Sequence, residues 1–192
     1  MDIIELAEQN QQNAWKLLDE TGIIPAWERI GATVHLVGSL KSGLLMKSRD
    51  IDLHIYTGKL DITESFSVMQ ELAERLKLKE IQYKNLVHTE EECIEWHALY
   101  EDQELHTWKF DLIRKGSKYD GVVENVTAAI AKLLTPGLRE TILRIKYEVP
   151  DGVMIPGIEI YHAVFTGDVR SYEELERWRQ EHPLTNSLDW LP

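Results

Sequence analysis

Ten residues that alternate between polar and apolar side chains, SRDIDLHIYT at 48–57, constrain the fold of this chain more than any other segment. The alternation predicts a strand that carries Asp50, Asp52 and His54 on one face and aliphatic side chains on the other face. Residues two apart on a strand are separated by about 6.6 Å, so the two carboxylates converge on one small volume. Because an unpaired carboxylate beside a core is costly, we expect a cation to neutralise this face of the strand.

A glycine–serine pair precedes this strand. The segment TVHLVG at 33–38 predicts a short strand that ends at Gly38, and ten residues then separate Ser39 from Asp50. A glycine at the end of a strand lets the backbone pass close to a phosphate, and free N–H groups at a helix start bind anions. The pair therefore indicates a phosphate-binding turn, to which Ser39 adds a hydroxyl group.

A third aspartate occurs between two large apolar residues. In HTWKFDLIRKG at 106–116, Asp111 is flanked by Phe110 and Leu112. If this predicted strand lies beside the one at 48–57, Asp111 faces the same volume and can hold a metal ion or accept a proton from an attacking hydroxyl group. Two Mg²⁺ ions about 3.5–4 Å apart suit such a set of carboxylates, so we expect Mg²⁺ as the cofactor. A lone Asp-x-Asp pair is instead typical of a solvated strand edge.

The spacing of these motifs resembles the signature of the nucleotidyltransferase superfamily related to DNA polymerase β, in particular its small bacterial minimal and antibiotic members. The resemblance covers roughly residues 33–113 and rests on Gly38-Ser39, the ten-residue spacer, Asp50-Ile51-Asp52-Leu53 and Phe110-Asp111-Leu112. It implies that three aspartates bind the metal ions and carry out catalysis: Asp50, Asp52 and Asp111. It also implies that the turn at Gly38 and Ser39 cradles the nucleotide phosphates.

One segment departs from the pattern of that superfamily. Its members commonly have Arg-Gly after the serine, whereas this chain has Leu40-Lys41-Ser42-Gly43. We expect Lys41 to take over the phosphate contact, which makes it a third nucleotide-binding residue beside Gly38 and Ser39.

The resemblance implies an α+β chain, with a nucleotidyltransferase fold whose mixed β-sheet is flanked by helices, followed by a helical C-terminal part. Hydrophobic periodicity predicts strands at 33–38, 48–57, 81–88, 93–100 and 105–113. It predicts helices at 2–20, 25–30, 63–77, 121–134, 137–147, 158–165 and 171–181, with Asp61 or Thr63 as the cap of the third helix. The hydrophobic pattern changes near Gly116 from strand-like to helical. This change suggests a catalytic domain at 1–116 and a helical region at 117–192.

The resemblance further implies an enzyme that transfers a nucleoside monophosphate from an NTP, expected to be ATP, to a hydroxyl group and releases pyrophosphate. The alternative is a nucleotide-binding or partner-binding module of the same fold without transfer activity. A formal net charge of -12 adds a constraint, because an acidic surface repels nucleic-acid phosphates and attracts cations. We therefore expect a cationic small molecule as the acceptor, and no DNA or RNA partner.

Cysteine content and hydropathy predict a cytoplasmic protein. Cys93 is the only cysteine, so the chain cannot form an internal disulfide and suits a reducing compartment. No segment approaches the roughly 20 apolar residues of a membrane span, and the first residues do not resemble a signal peptide. We expect no membrane partner, and the sequence leaves the oligomeric state open.

Four basic residues near the expected site have two interpretations each. Lys109 shares the strand face of Asp111, so we expect it to neutralise either a phosphate or that carboxylate. The cluster of Arg114, Lys115 and Lys118 forms either a solvated turn or a contact with a triphosphate.

Overall fold

The computed structural model describes residues 2–183 and residue 190, and these contain five strands and eight α-helices. The strands are β1 (Thr33–Val37), β2 (Asp50–Thr57), β3 (Glu80–Leu86), β4 (Cys93–Glu101) and β5 (Thr107–Gly116). The helices are α1 (Ile3–Thr21), α2 (Ile23–Glu28), α3 (Gly38–Ser42), α4 (Ile62–Leu76), α5 (Val122–Leu133), α6 (Pro136–Glu148), α7 (Gly157–Thr166) and α8 (Tyr172–Glu181). Among these described helices, none combines the length and apolar character that crossing a membrane requires.

All five strands form one sheet in the order β1-β2-β5-β4-β3. β2 and β5 run parallel, whereas the other neighbouring pairs are antiparallel. Parallel neighbours need a long crossover connection, and here α4, β3 and β4 supply it. The predicted α+β class and the predicted mixed sheet flanked by helices are therefore confirmed.

The aliphatic face of β2 lies at the centre of the main core. Ile51, Leu53 and Ile55 are fully buried, as the alternation predicts. They belong to one cluster with apolar residues of α1, α2 and α4, including Trp27 and Leu72. Fully burying a side chain of this size stabilises the fold by about 1.5–3 kcal/mol, so this face anchors the strand whose other face carries the aspartates.

The C-terminal helices surround a second core cluster. It contains Ile142 of α6, Ile160 of α7 and Leu175 of α8. Leu44, from the segment between α3 and β2, belongs to the same cluster and links the helices to the sheet. This cluster draws residues from both sides of residue 116. The division of the chain at that residue stays a prediction.

Short polar side chains set the starts of several helices. The carboxylate of Asp2 accepts a hydrogen bond from the backbone N–H of Ile4 at 3.2 Å, at the start of α1. Asp61 likewise accepts from Glu64 N–H at 3.0 Å. Asp61, rather than Thr63, is therefore the cap of α4.

The last strand is shifted from its predicted range of 105–113. The carboxylate of Asp102 accepts hydrogen bonds from the backbone N–H of His106 at 2.9 Å and from Nε1–H of Trp108 at 2.8 Å. These bonds close a tight loop before β5, so the strand begins at Thr107 and continues to Gly116.

Arg114 lies in the core, and its interpretation as part of a solvated or triphosphate-binding turn is wrong. The side chain is fully buried and donates hydrogen bonds to Thr57 Oγ1 at 3.1 Å and Ser65 Oγ at 2.8 Å. It also forms an ion pair with Glu64. The guanidinium thus joins the ends of β2 and β5 to the first turns of α4.

Replacing this residue, Arg114→Met, should lower the free energy of unfolding by about 3 kcal/mol, because the groups around it lose a buried partner. Denaturant titration followed by tryptophan fluorescence measures the loss. The control is Arg29→Met, since Arg29 and its partner Glu71 are 55% and 47% exposed. A surface pair of this kind contributes about 0–1 kcal/mol. Equal losses in the two variants would contradict an anchoring role for Arg114.

Candidate active site

The pairing of β2 with β5 brings the three predicted aspartates together. Asp52 lies directly opposite Asp111, and Asp50 lies opposite Lys109. Neighbouring strands are about 4.8 Å apart, and residues paired in this way point to the same face of the sheet. All three aspartate side chains are partly buried. The strand register therefore gathers the carboxylates into one group.

Burial and mutual repulsion act on two of these carboxylates. Burial, followed by the negative charge of Asp111, raises the pKa of Asp52 to about 7. The same two causes raise the pKa of Asp50 above its ordinary value. The positive charges of Lys109 and Lys146 act in the opposite direction without cancelling the rise. The two lysines offset the negative charge of the group only in part, which is the condition that favours binding of a divalent cation.

Asp111 differs from the other two because each of its oxygens has a partner. Lys109 Nζ lies 2.9 Å from Oδ2, and His97 Nδ1 lies 2.5 Å from Oδ1. His97 is the residue opposite Asp111 in the β4–β5 pair, and its Nε2 lies 3.4 Å from Glu95. Of the two expectations for Lys109, neutralisation of the carboxylate matches its contact in the structure.

The donor set suits a hard divalent cation. Asp50 and Asp52 offer carboxylate oxygens from one strand face, and Mg²⁺ is usually held by few carboxylates together with water and phosphate. In the part of the chain that the structure describes, no cluster of three or more His, Cys, Asp or Glu side chains is arranged ready to hold a metal ion. Asp111 instead directs its oxygens to Lys109 and His97. Metal ligation by the three aspartates stays a prediction.

Gly38 is required by the close approach of Asp52. Its φ of +69° lies in the left-handed region that favours glycine. A Cβ atom at this position would lie 2.2 Å from Oδ2 of Asp52. The glycine thus leaves the space that the Asp52 carboxylate occupies, at the junction of β1 and α3.

The other two predicted nucleotide-binding residues lie in different surroundings. Ser39, in the first turn of α3, lines the same cavity as Asp50 and Asp52. Lys41 lies two residues further along α3, where it is exposed and outside the lining of that cavity. The structure therefore brings Ser39 to the carboxylates and leaves Lys41 at the surface, and phosphate binding by both stays a prediction.

A cavity of about 660 Å³ opens beside the aspartates of β2. Its sheet side is lined by Gly38, Ser39, Asp50, Asp52 and His54. Its opposite wall is largely apolar and includes Val123, Val126, Ile130, Val153, Ile155 and Ile158. Lys47 and Lys146 add two cations to the lining, and Nζ of Lys146 donates to the carbonyl oxygen of Leu44 at 2.8 Å. Carboxylates facing an apolar wall suit a ligand that has an apolar part and a polar part, and a phosphate there needs a divalent cation between it and the carboxylates.

Asp111 lies outside the lining of this cavity, on the strand beyond Asp52. On its other side, β4 presents the polar residues His97 and Glu95 on the same face of the sheet. The three carboxylates therefore stand between the cavity and the partly buried polar face of β4. Such an arrangement can hold one reactant on each side.

Comparison with solved structures identifies the architecture. The Cid1 poly(U) polymerase bound to MgGTP aligns with a TM-score of 0.55 and 16% sequence identity, over 72% of this chain and 42% of that chain. The non-canonical poly(A) polymerase complex GLD-2–GLD-3 aligns with a TM-score of 0.55 and 13% identity, over 95% of this chain and 64% of that chain. The GLD-2/RNP-8 complex aligns with a TM-score of 0.57 and 14% identity, over 92% and 61%. The chain has the nucleotidyltransferase fold.

This likeness confirms the fold that the motifs predict, since the matched proteins are nucleotidyltransferases related to DNA polymerase β. The chain spans less than half of the Cid1 chain and less than two thirds of the GLD-2 chains. No protein-family model matches the sequence, and no curated protein matches it significantly.

A hydrogen-bonded group fixes α5 against the sheet of this nucleotidyltransferase fold. His54 Nδ1 lies 3.1 Å from the hydroxyl group of Tyr56, which donates to the Glu124 carboxylate at 3.0 Å. Glu124 also accepts from the backbone N–H of Gly121 at 3.0 Å, where α5 begins. The first turn of α5 is thereby held to β2, which positions the apolar wall of the cavity.

Three polar residues of the site lie far from the motif in the sequence, and motif reasoning missed them: His97, Glu124 and Lys146. Glu124 and Lys146 come from amphipathic helices, where nothing local distinguishes them from other polar residues. His97 had a usable signal, because the alternation of EWHALY at 95–100 places it on a polar strand face.

In the metal-free protein, Asp52→Asn should stabilise the fold above about pH 7 and have little effect near pH 4. The folded protein retains this proton up to about pH 7, whereas the ordinary value is 3.8. The wild type therefore loses stability as pH rises through this window, and asparagine removes the loss. Thermal unfolding in EDTA across the window measures the difference in melting temperature.

The control for this pH series is Asp19→Asn, an exposed position in α1. It should show no gain that grows with pH. A gain for Asp52→Asn that is as large near pH 4 as near pH 8 would exclude relief of carboxylate repulsion as its cause.

Gly38→Ala should destabilise the protein more than Gly43→Ala, although both glycines have positive φ values of +69° and +73°. The backbone cost of about 1–2 kcal/mol applies to both variants. Only Gly38→Ala adds overpacking against Asp52, of about 1–3 kcal/mol, because nothing lies within 4 Å of a Cβ at Gly43. Chemical denaturation measures both losses, and equal values would contradict the close approach of Asp52.

Proposed function

We propose that the protein is a Mg²⁺-dependent nucleotidyltransferase, which moves a nucleoside monophosphate from ATP to a hydroxyl group of an acceptor and releases pyrophosphate. The observation that carries this proposal is the placement of Asp50, Asp52 and Asp111 on adjacent parallel strands, beside Gly38 and the cavity. The nucleotidyltransferase fold supports the same class of reaction.

The cavity is the proposed site of the nucleotide. Asp50 and Asp52 would hold Mg²⁺, which would neutralise the triphosphate and stabilise the charge that develops on the leaving pyrophosphate. Gly38 and Ser39 line the same cavity as these carboxylates, so the turn would contact the phosphates of a bound nucleotide. The apolar wall of α5 and the segment 149–156 encloses the base and sugar and excludes water from the reacting phosphate.

Asp111 acts from the side of the carboxylate group that faces β4. Its carboxylate accepts the proton of the acceptor hydroxyl group while the oxygen–phosphorus bond forms and the bond to pyrophosphate breaks. His97 holds Oδ1 of Asp111 and so fixes the orientation of the carboxylate that takes the proton.

The acceptor has two candidate classes. The net charge of -12 favours a cationic small molecule, because the long-range field of the protein attracts cations. The aligned structures are a poly(U) polymerase and a poly(A) polymerase, so the comparisons give no support to the expected absence of an RNA partner. We propose a cationic small molecule as the acceptor, and the end of an RNA chain as the second candidate. The cytoplasmic location, based on the single cysteine Cys93, is likewise a proposal.

Binding of ATP should depend on Mg²⁺ and should be lost in Asp52→Asn. We expect binding in EDTA to be at least about tenfold weaker than in Mg²⁺, a difference of about 1.4 kcal/mol. Isothermal titration calorimetry measures both conditions, with Asp19→Asn as the control that keeps wild-type affinity. Equal affinity for ATP in EDTA and in Mg²⁺ would refute the metal-dependent site.

Transfer is tested with radiolabelled ATP and Mg²⁺, offering aminoglycosides, tRNA and a cell lysate in parallel. Label on an aminoglycoside supports the first acceptor class. Label on tRNA that falls as salt is raised supports the second class. Binding of ATP without label on any acceptor, and without pyrophosphate release, supports the binding module. Asp111→Asn should remove transfer while retaining ATP binding.

A further inference from the structure

Lys109 is in direct contact with the carboxylate group, although the proposed reaction assigns it no role. It lies two residues before Asp111 on β5 and opposite Asp50 on β2. Its Nζ is 2.9 Å from Oδ2 of Asp111. Since His97 lies against Oδ1 of the same carboxylate, each oxygen of Asp111 already has one cationic or hydrogen-bonding partner in this arrangement.

The two lysines that line the cavity, Lys47 and Lys146, are held differently. Lys47 Nζ donates to the carbonyl oxygen of Val149 at 2.7 Å and to Oδ1 of Asp151 at 3.1 Å. Lys146 Nζ donates to the carbonyl oxygen of Leu44 at 2.8 Å and lies 3.4 Å from the hydroxyl group of Tyr161. It also lies 5.6 Å from the centre of the Tyr161 ring. These partners are neutral and come from the protein framework, so Lys146 is fixed in place, and contact with the aspartates is left to Lys109.

The contact between Lys109 and Asp111 is one that water or another cation can replace. The Lys109 side chain is 38% exposed, and an ammonium group on a flexible stem makes a single contact that water can replace. Arg114, on the opposite face of the same strand, is fully buried and bonds to several groups at once. One strand thus carries a permanent cation on its core face and a replaceable cation on its site face.

A divalent ion at Asp50 and Asp52 that also used Asp111 would compete with this contact. The ion and the ammonium group would both approach Asp111, and like charges at such separations repel strongly. Lys109 has solvent on its exposed side into which it can turn, whereas His97 can keep its bond to Oδ1.

We propose that Lys109 is a built-in counter-ion, which holds Asp111 in the nucleotide-free protein and gives way when the metal–nucleotide complex binds. The inference rests on the proposed function, because it takes Asp50 and Asp52 as the metal site, and it adds that Asp111 offers an oxygen to the metal ion once Lys109 has moved away. Lys109 is therefore a positioning residue. It keeps a metal ion without nucleotide from binding Asp111, and it leaves Asp111 free to act only when the metal–nucleotide complex is bound.

The test is binding of Mn²⁺ alone, followed by electron paramagnetic resonance of the free ion, in wild type, Lys109→Met and Lys109→Arg. Lys109→Met should bind Mn²⁺ about tenfold more tightly than wild type, because the competing charge is gone. Lys109→Arg keeps the charge but can pair with Asp111 through two N–H groups, so it should bind Mn²⁺ more weakly than wild type.

Melting temperatures give a second readout that does not depend on activity. Without metal, Lys109→Met should melt below wild type, and Mn²⁺ should raise its melting temperature more than that of wild type. The control is Lys79→Met, since Lys79 forms an ion pair of the same 2.9 Å length with Glu101, away from the aspartates. It should match wild type in Mn²⁺ affinity.

The outcomes separate this inference from the function on which it rests. If wild type binds ATP with Mg²⁺ but Lys109→Met gains no affinity for Mn²⁺, the counter-ion role is overturned and the proposed function stands. If Lys109→Arg binds Mn²⁺ as wild type does, the lysine acts only through its charge, and displacement is overturned. If neither wild type nor any variant binds Mn²⁺ or Mg²⁺ with ATP, both proposals fail.

Discussion

The site depends on the parallel pairing of β2 with β5, which sets Asp52 directly opposite Asp111. This register places like charges on neighbouring strands about 4.8 Å apart, an arrangement that repulsion opposes. The opposite faces of the same two strands are fully buried at Ile51, Leu53 and Phe110. A slip of one residue would turn the carboxylates into this core and the aliphatic side chains out of it. Hydrophobic burial on one face therefore holds the acidic group together on the other.

The alternation of side chains along β5 places its basic residues, as well as its aspartate, on defined faces of the sheet. Lys109 and Asp111 point to the site face, whereas Arg114 points to the core face and is fully buried. A guanidinium group satisfies several fixed acceptors at once, which suits a permanent position inside the protein. An ammonium group can change partner at little cost, which suits a position beside a metal site. The proposed roles of the two residues follow from this difference in chemistry as much as from their placement.

The aspartates could be found from the sequence because their signal is local. Asp52 and Asp111 each lie between apolar residues on a strand, so Asp111 was recognisable without knowing its neighbour in the sheet. Arg114 stands beside a second basic residue, and its interpretation as a turn residue was wrong, because its partners Ser65 and Glu64 lie in a helix about fifty positions earlier. Lys146 reaches the site in the same long-range way, and no pattern near it indicates that position. Local periodicity thus predicts which face of an element a residue occupies, but not which distant residues it contacts on that face.

Different parts of the chain form the two sides of the carboxylate group, and this difference affects how an acceptor would be recognised. The C-terminal helices enclose only the cavity side, next to Asp50 and Asp52. On the other side, Asp111, His97 and Glu95 form a connected series of polar contacts that ends at the exposed Lys84. Net charge acts over long distances and is screened by salt within about 10 Å. At the site itself, an acceptor would meet this series of paired polar groups rather than a uniformly acidic wall. In the proposed reaction, the overall field therefore biases which molecules approach, whereas alignment of a hydroxyl group with Asp111 depends on short-range contacts beside this series.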